Sequence, residues 1–310
     1  MASNVVLLTG VADHVGGRLA ARLAADPVVR RVIVAAPRPP AVGLPERVEL
    51  VVAEPGSPLL VEVLRSAGVE TVVYAAPRSA DRPSPGRLSE DHDVVATMRL
   101  LASCQRAGGV RRLVVRSTTE VYGAGPNAPA VFTEQDVPAG APRPAALEVE
   151  EQARAFATSS PGTTLTVFRL AELLSGRVDS ALGRYLSLPV VPTVLGFDAR
   201  VQFLHHQDAV AVLHRASTHD LPGVFNVAGD GVLLLSQALR RAGRVALPVP
   251  AAAVPAAARI ARTPVSPGLT RLLSFGRVVD TSRLRTSFGY APRWSTSAAL
   301  DDHVHARPPR

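Results

Sequence analysis

The feature that most constrains this chain is the run from Asn4 to Ala25, NVVLLTGVADHVGGRLAARLAA. Val5 to Leu8 form an unbroken apolar stretch, the pattern of a short strand buried on both faces. Thr9-Gly10 ends it in a tight turn, and from Val15 onward Gly16, Leu19, Ala20 and Leu23 recur at helical intervals on one face. Strand, glycine turn and helix in such quick succession predict the opening unit of a Rossmann-type α/β fold, a doubly wound parallel sheet. Helix N-terminal amides and the positive end of the helix dipole attract anions, so a cofactor phosphate is expected over Gly10 and Val15.

The same alternation continues downstream. Arg31 to Ala36, Val48 to Ala53, Val69 to Ala76, Arg112 to Arg116 and Thr164 to Arg169 read as further strands. Leu59 to Ala67, Ser89 to Ala107 and Pro144 to Thr158 read as the helices between them. With 310 residues, 47% of them hydrophobic, the chain can bury one large core and a smaller appended lobe. No apolar stretch reaches membrane-spanning length, because Ala251 to Ala258 is short and broken by Pro255. Met1-Ala2-Ser3-Asn4 leads straight into the first strand without a secretory signal, and the lone Cys104 suits a reducing compartment, so a cytoplasmic location is expected. The net charge is +8, yet the arginines are scattered through every segment, which argues for a solvated surface and against nucleic acid as a partner. Every basic residue besides histidine is arginine: the chain contains no lysine, and no side-chain ammonium can enter any mechanism.

Thr9-Gly10-Val11-Ala12-Asp13-His14-Val15-Gly16 resembles the TGxxGxxG loop of the extended short-chain dehydrogenase/reductase family, which includes nucleotide-sugar epimerases and dehydratases. The first and third glycines stand, and Asp13 replaces the second, placing a carboxylate where the family lets bare backbone approach phosphate. The resemblance implies cofactor contacts at Gly10, Asp13, His14, Val15, Gly16, Glu54, Ala75, Ala76, Pro77 and Ser117. At the end of the second strand, the family's ribose-gripping acid is Ala36 here, and Arg38 follows it. Loss of the acid with a nearby guanidinium favours NADP(H), with NAD(H) still possible. Ser117-Thr118-Thr119-Glu120-Val121-Tyr122-Gly123 resembles the SSxxxVYG motif, which implies that Thr118 orients the reacting carbonyl, with Glu120 and Tyr122 as further substrate contacts. Val201 to Val210 is similar to the family's QFVHVDDVA segment. The resemblance divides the chain into a dinucleotide-binding domain (residues 1–169 and 201–231) and a small C-terminal substrate lobe (170–200 and 232–310), as a monomer or homodimer.

The family moves its proton with a tyrosine whose acidity is raised by a lysine four residues later on one helix face. Aligned through Glu150 and Phe156, those two positions are Pro142 and Ala146, and the only tyrosines are Tyr74, Tyr122, Tyr185 and Tyr290. In lacking the pair the chain is similar to atypical ketoreductases of actinobacterial aromatic polyketide pathways. This implies reduction of a ketone on a hydroxylated polycyclic substrate that brings its own proton donor. Two other readings stand beside it: an NAD(P)-binding sensor or scaffold without turnover, and a nucleotide-sugar epimerase or dehydratase. His205, His206 and Asp208 lack a third convergent ligand, so no metal is expected. Glu148, Glu150 and Glu151 read as a solvated helix face, and Asp301 to His305 as part of a solvated tail.

Overall fold

A computed structural model describes residues 4–40, 43–76, 87–136, 144–260, 263 and 265–306. The elements in the first part of the chain are β1 (Asn4–Thr9), α1 (His14–Ala24), β2 (Val29–Ala36), β3 (Val48–Val52), α2 (Pro58–Ser66), β4 (Thr71–Tyr74), α3 (Arg87–Ala107), β5 (Arg112–Thr118), α4 (Ala145–Ser159) and β6 (Thr164–Leu170). The second part carries β7 (Glu172–Leu173), α5 (Ala181–Leu186), β8 (Val190–Val194), β9 (Arg200–Val201), β10 (Phe203–Leu204), α6 (His206–Thr218) and β11 (Gly223–Val227). It ends with β12 (Leu233–Leu234), α7 (Leu235–Arg241), β13 (Val245–Val249), α8 (Val254–Ile260), α9 (Pro267–Phe275), α10 (Ser282–Thr286) and α11 (Thr296–Ala306).

The central sheet has seven strands in the order β11-β6-β5-β4-β1-β2-β3. Its pairs β1–β2, β1–β4, β2–β3 and β4–β5 are parallel. The order reverses direction at β1, which is the doubly wound α/β architecture expected from the opening unit. Continuous apolar runs mark the central strands because helices cover both faces of a parallel sheet. β1 and β4 are buried at every position, whereas edge strand β3 is exposed at Glu49, Leu50 and Val52. Helix ends follow their capping chemistry: the Asp13 carboxylate accepts the Gly16 N–H at the start of α1, and Ser57 does the same for Leu60 before α2, which has Pro58 in its first turn.

The chain divides into two compact units: Met1–Ser117, Ala145–Phe168 and Ala209–Phe225 form one, and Thr118–Pro144, Arg169–Asp208 and Asn226–Arg310 the other. The first is built on a core that includes Val5, Leu7, Ile33, Leu60, Leu64, Val72, Leu113 and Phe156. The second gathers Leu182, Tyr185, Phe203, Leu235, Leu272 and Leu300. No described helix is long and apolar enough to cross a membrane. The segment read as a solvated tail is instead helix α11, with His303 only 2% exposed and the Asp302 carboxylate accepting the Gly176 N–H at 2.8 Å.

Candidate dinucleotide and carbonyl sites

In the first unit the turn after β1 is compact. Gly10 has φ +75°, and a Cβ there would lie 2.3 Å from the Ala76 backbone nitrogen, so neither the conformation nor the space admits a side chain. The Ala75 N–H donates to the Thr9 carbonyl at 2.9 Å, tying the end of β4 to the end of β1. A Cβ on Gly16 would approach the Val11 Cα to 2.6 Å, so the third glycine of the pattern is required by backbone packing. The Thr9 hydroxyl is buried and has no hydrogen-bond partner among the described residues.

Asp13 is the departure that matters most. Its Oδ1 accepts the Gly16 N–H at 2.9 Å, and its Oδ2 lies 2.7 Å from Nη1 of Arg116. Arg116, on β5, is 6% exposed and also donates from Nη1 to the Ala75 carbonyl at 3.1 Å. Strands lie about 4.8 Å apart, so a side chain on β5 that reaches the residue capping α1 crosses the carboxyl end of β4 on its way. Arg38 and Glu54 are exposed beyond the ends of β2 and β3, Ala75 is buried, Ala76 and His14 are half-buried, and Val15 is buried in α1. Pro77 lies outside the described residues, as does Pro142.

Farther along this edge the Ser117 hydroxyl donates to Glu150 Oε1 at 2.6 Å, and Arg154 holds Oε2 at 2.6 Å. Glu150 is completely buried, so α4 does not turn all of its glutamates to water; Glu148 and Glu151 are exposed. The position corresponding to the family's lysine, Ala146, is the second residue of α4 and offers no polar group.

The second unit begins with Thr118, whose Oγ1 accepts the Glu120 N–H at 3.2 Å and caps the 3-10 turn Thr119–Tyr122. Among the described residues the hydroxyl donates no hydrogen bond of its own. Glu120 is half-buried. Tyr122 is 4% exposed: its hydroxyl donates to Asn226 Oδ1 at 2.7 Å and accepts from Arg169 Nη1 at 2.9 Å, and its ring stacks on Phe132 at 4.9 Å. Burial raises its pKa above the usual phenol value, against the opposing pull of Arg169. The hydroxyl of Tyr185 is spent on the Pro192 carbonyl, and that of Tyr290 on Asp208 at 2.6 Å. Neither tyrosine carries an uncommitted hydroxyl.

His205 and His206 serve packing. The His205 ring stacks on Trp294 at 3.9 Å and its Nε2 is 3.3 Å from Asp302, while His206 Nδ1 is 2.8 Å from the Ser175 hydroxyl. Asp208 is fully buried and accepts from Tyr290, the Arg293 N–H and the Trp294 N–H. This unit also contains a cavity of about 310 Å³, lined by Phe197, Arg200, Phe275 and Arg277. Phe197 and Phe275 meet edge to face at 5.4 Å.

The model of the NAD dependent epimerase/dehydratase family matches residues 6–228. The chain belongs to this family. An uncharacterized protein of Mycobacterium tuberculosis is 41% identical over 98% of this chain and 84% of its own length. Among solved structures, MoeE5 in complex with UDP-glucuronic acid and NAD superposes with a TM-score of 0.74 at 22% identity, covering 98% of both chains. A dTDP-glucose 4,6-dehydratase from Bacillus anthracis in complex with NAD gives 0.74 at 16% identity, over 98% of this chain and 96% of its own. These likenesses establish the extended epimerase/dehydratase fold.

The first unit fits the family's dinucleotide in its tight Gly10 turn, its close Gly16 packing, its small residues at Ala75 and Ala76 and the Thr9 hydroxyl, which has no partner among the described residues. It differs at Asp13, which brings negative charge to the helix end that attracts phosphate.

Proposed function

We propose that the protein is an NAD(P)H-dependent oxidoreductase that reduces a ketone on a hydroxylated polycyclic small molecule without a tyrosine–lysine proton relay. One observation carries this reading: of the hydroxyls of Ser117, Thr118 and Tyr122, that of Ser117 is committed to Glu150 and that of Tyr122 to Asn226, while that of Thr118 donates to none of the described residues. A bound nicotinamide would supply the hydride. Thr118 donates to the carbonyl oxygen and so fixes which face and angle the ketone presents. Glu150, held by Ser117 and Arg154, keeps the end of β5 rigid.

Omitting a general acid costs about 10²- to 10⁴-fold in rate. Holding the reacting partners in line contributes about 7 to 11 kcal/mol, so orientation outweighs the missing acid, above all for a substrate whose own hydroxyl adjoins its ketone. The phenylalanine-edged cavity with Arg200 suits an aromatic, hydroxylated ligand. The exposed Arg38 with Ala36 in place of an acid favours the 2′-phosphate of NADP(H).

A second reading, dinucleotide binding without turnover, is favoured by the locked state of Tyr122. The epimerase and dehydratase activities of the structural relatives require a base to take a proton from a sugar hydroxyl, and the residue at the matching place is Pro142, which carries no proton acceptor in its side chain. The test is to mix the protein with NADPH and a panel of hydroxylated polycyclic ketones. Loss of the reduced-nicotinamide absorbance is expected, and binding without any loss across the panel selects the second reading. Thr118→Ala is expected to lower kcat/KM by about tenfold or more; an unchanged value removes Thr118 from the mechanism.

A further inference from the structure

Arg116 lies across the carboxyl ends of the strands next to β1, the edge over which a dinucleotide runs in open α/β sheets. Its guanidinium is buried, with 3% of the side chain exposed, yet the carboxylate it holds is 24% exposed. That carboxylate occupies two positions at once: it caps the Gly16 N–H at the start of α1, and it neutralises Arg116, a buried cation that reaches this turn. An incoming diphosphate seeks both of those partners, a helix N-terminal amide and a guanidinium. In the family pattern the position of Asp13 is a glycine, which brings no carboxylate to occupy either one.

We propose that Asp13 acts as an internal stand-in for a cofactor phosphate, and that dinucleotide binding requires the Asp13–Arg116 pair to open so that Arg116 and the Gly16 amide pass to the diphosphate. This rests on the dinucleotide-binding reading above and deepens it, for it makes Asp13 a brake on affinity and Arg116 the cation of the phosphate site in a chain that has no lysine. The extended backbone of Asp13, φ −113° and ψ 174°, places no conformational demand for aspartate, so the residue can be exchanged without straining the turn.

The experiment is calorimetric titration of the full-length protein with NAD⁺ and with NADP⁺ at one salt concentration, for the wild type, Asp13→Gly, Asp13→Asn and the double variant Asp13→Gly/Arg116→Met. Asp13→Gly is expected to bind about tenfold tighter than wild type, within the usual range for two coupled contacts, and the double variant to lose that gain. Asp13→Asn keeps an oxygen to cap α1 while removing the charge, so it carries the test if the glycine variant does not fold. Equal or weaker binding by both Asp13 variants overturns the brake while leaving the dinucleotide reading intact. A double variant that binds as tightly as Asp13→Gly overturns the role given to Arg116. Absence of binding by the wild type and both single variants overturns the brake and the dinucleotide reading together.

Discussion

Two of the buried arginines, Arg116 in the first unit and Arg169 in the second, are handled in opposite ways. Arg116 gives Nη1 to the half-exposed carboxylate of Asp13 and to one backbone carbonyl. Arg169, 4% exposed, lies over the Tyr122 ring with its Cζ 4.9 Å from the centroid and donates to the Tyr122 hydroxyl and, at 3.4 Å, to the Glu134 carbonyl. Around it Glu134 accepts the Asn226 N–H at 2.8 Å, and Asn226 accepts the Tyr122 hydroxyl. A cation whose partner touches water can exchange that partner for a ligand. A cation enclosed by groups that depend on one another cannot, and its work is to hold the fold. The same side chain is therefore a binding device at one place and a structural pin at the other.

Truncating both arginines tests that distinction most strongly. Arg169→Met removes hydrogen bonds from a charged donor inside a closed network and is expected to lower unfolding free energy by about 1.5 to 3 kcal/mol. Arg116→Met is expected to cost less than half as much, because the Asp13 carboxylate can rehydrate where it stands. Chemical denaturation of both variants measures the difference. Equal losses would show that the Asp13–Arg116 pair is as structural as its counterpart.

The second test asks whether enclosure governs other charged groups of the second unit. Burial lowers the affinity of His205 for a proton below the ordinary histidine value, with Asp302 pulling the other way, so the folded state holds it neutral at pH 7. The unfolded chain binds that proton more readily, so stability is complete above about pH 6.5 and is lost as pH falls through the ordinary histidine value toward the lower folded one. His214, in the first unit, is displaced in the same direction by burial and adds to the loss. The slope cannot exceed about 1.4 kcal/mol per pH unit for each proton taken up. Melting temperatures of wild type and His205→Gln between pH 7 and pH 5 should converge on the acid side. Parallel curves would show that His205 titrates alike in both states.

Much of this architecture was legible because its signals are local. A buried parallel strand reads as a largely apolar run, which is why Val5 to Leu8 stood out and why Val69 to Ala76 enclosed the observed β4, and the missing relay follows from the absence of a single residue type. What escaped sequence reasoning was pairing over distance. Asp13 finds Arg116 103 residues later, Ser117 finds Glu150 after 33, and Tyr122 finds Asn226 after 104. No periodicity encodes such contacts. Glu150 looked like its neighbours Glu148 and Glu151, and only the packing of α4 against the sheet decides which of the three is desolvated. The run Asp301 to His305 looked solvated for the same reason, since the signal that α11 buries His303 is Gly183, whose absent side chain makes the room: a Cβ there would sit 3.0 Å from the His303 ring.

The smallest effect sharpens the comparison most for function. Tyr122→Phe deletes one hydroxyl that joins Arg169 to Asn226 and keeps the ring stacked on Phe132, so a loss of about 0.5 to 1.5 kcal/mol in stability is expected. Its effect on turnover separates a pin from a proton donor. Phenols that act as acids in catalysis contribute about 10²- to 10⁴-fold. This one gives its proton to an amide oxygen and is held above the ordinary phenol value by burial, so kcat/KM should stay within about twofold of wild type. A drop of a hundredfold with the fold intact would mean that Tyr122 leaves Asn226 during the reaction and takes over the proton that the missing relay no longer carries.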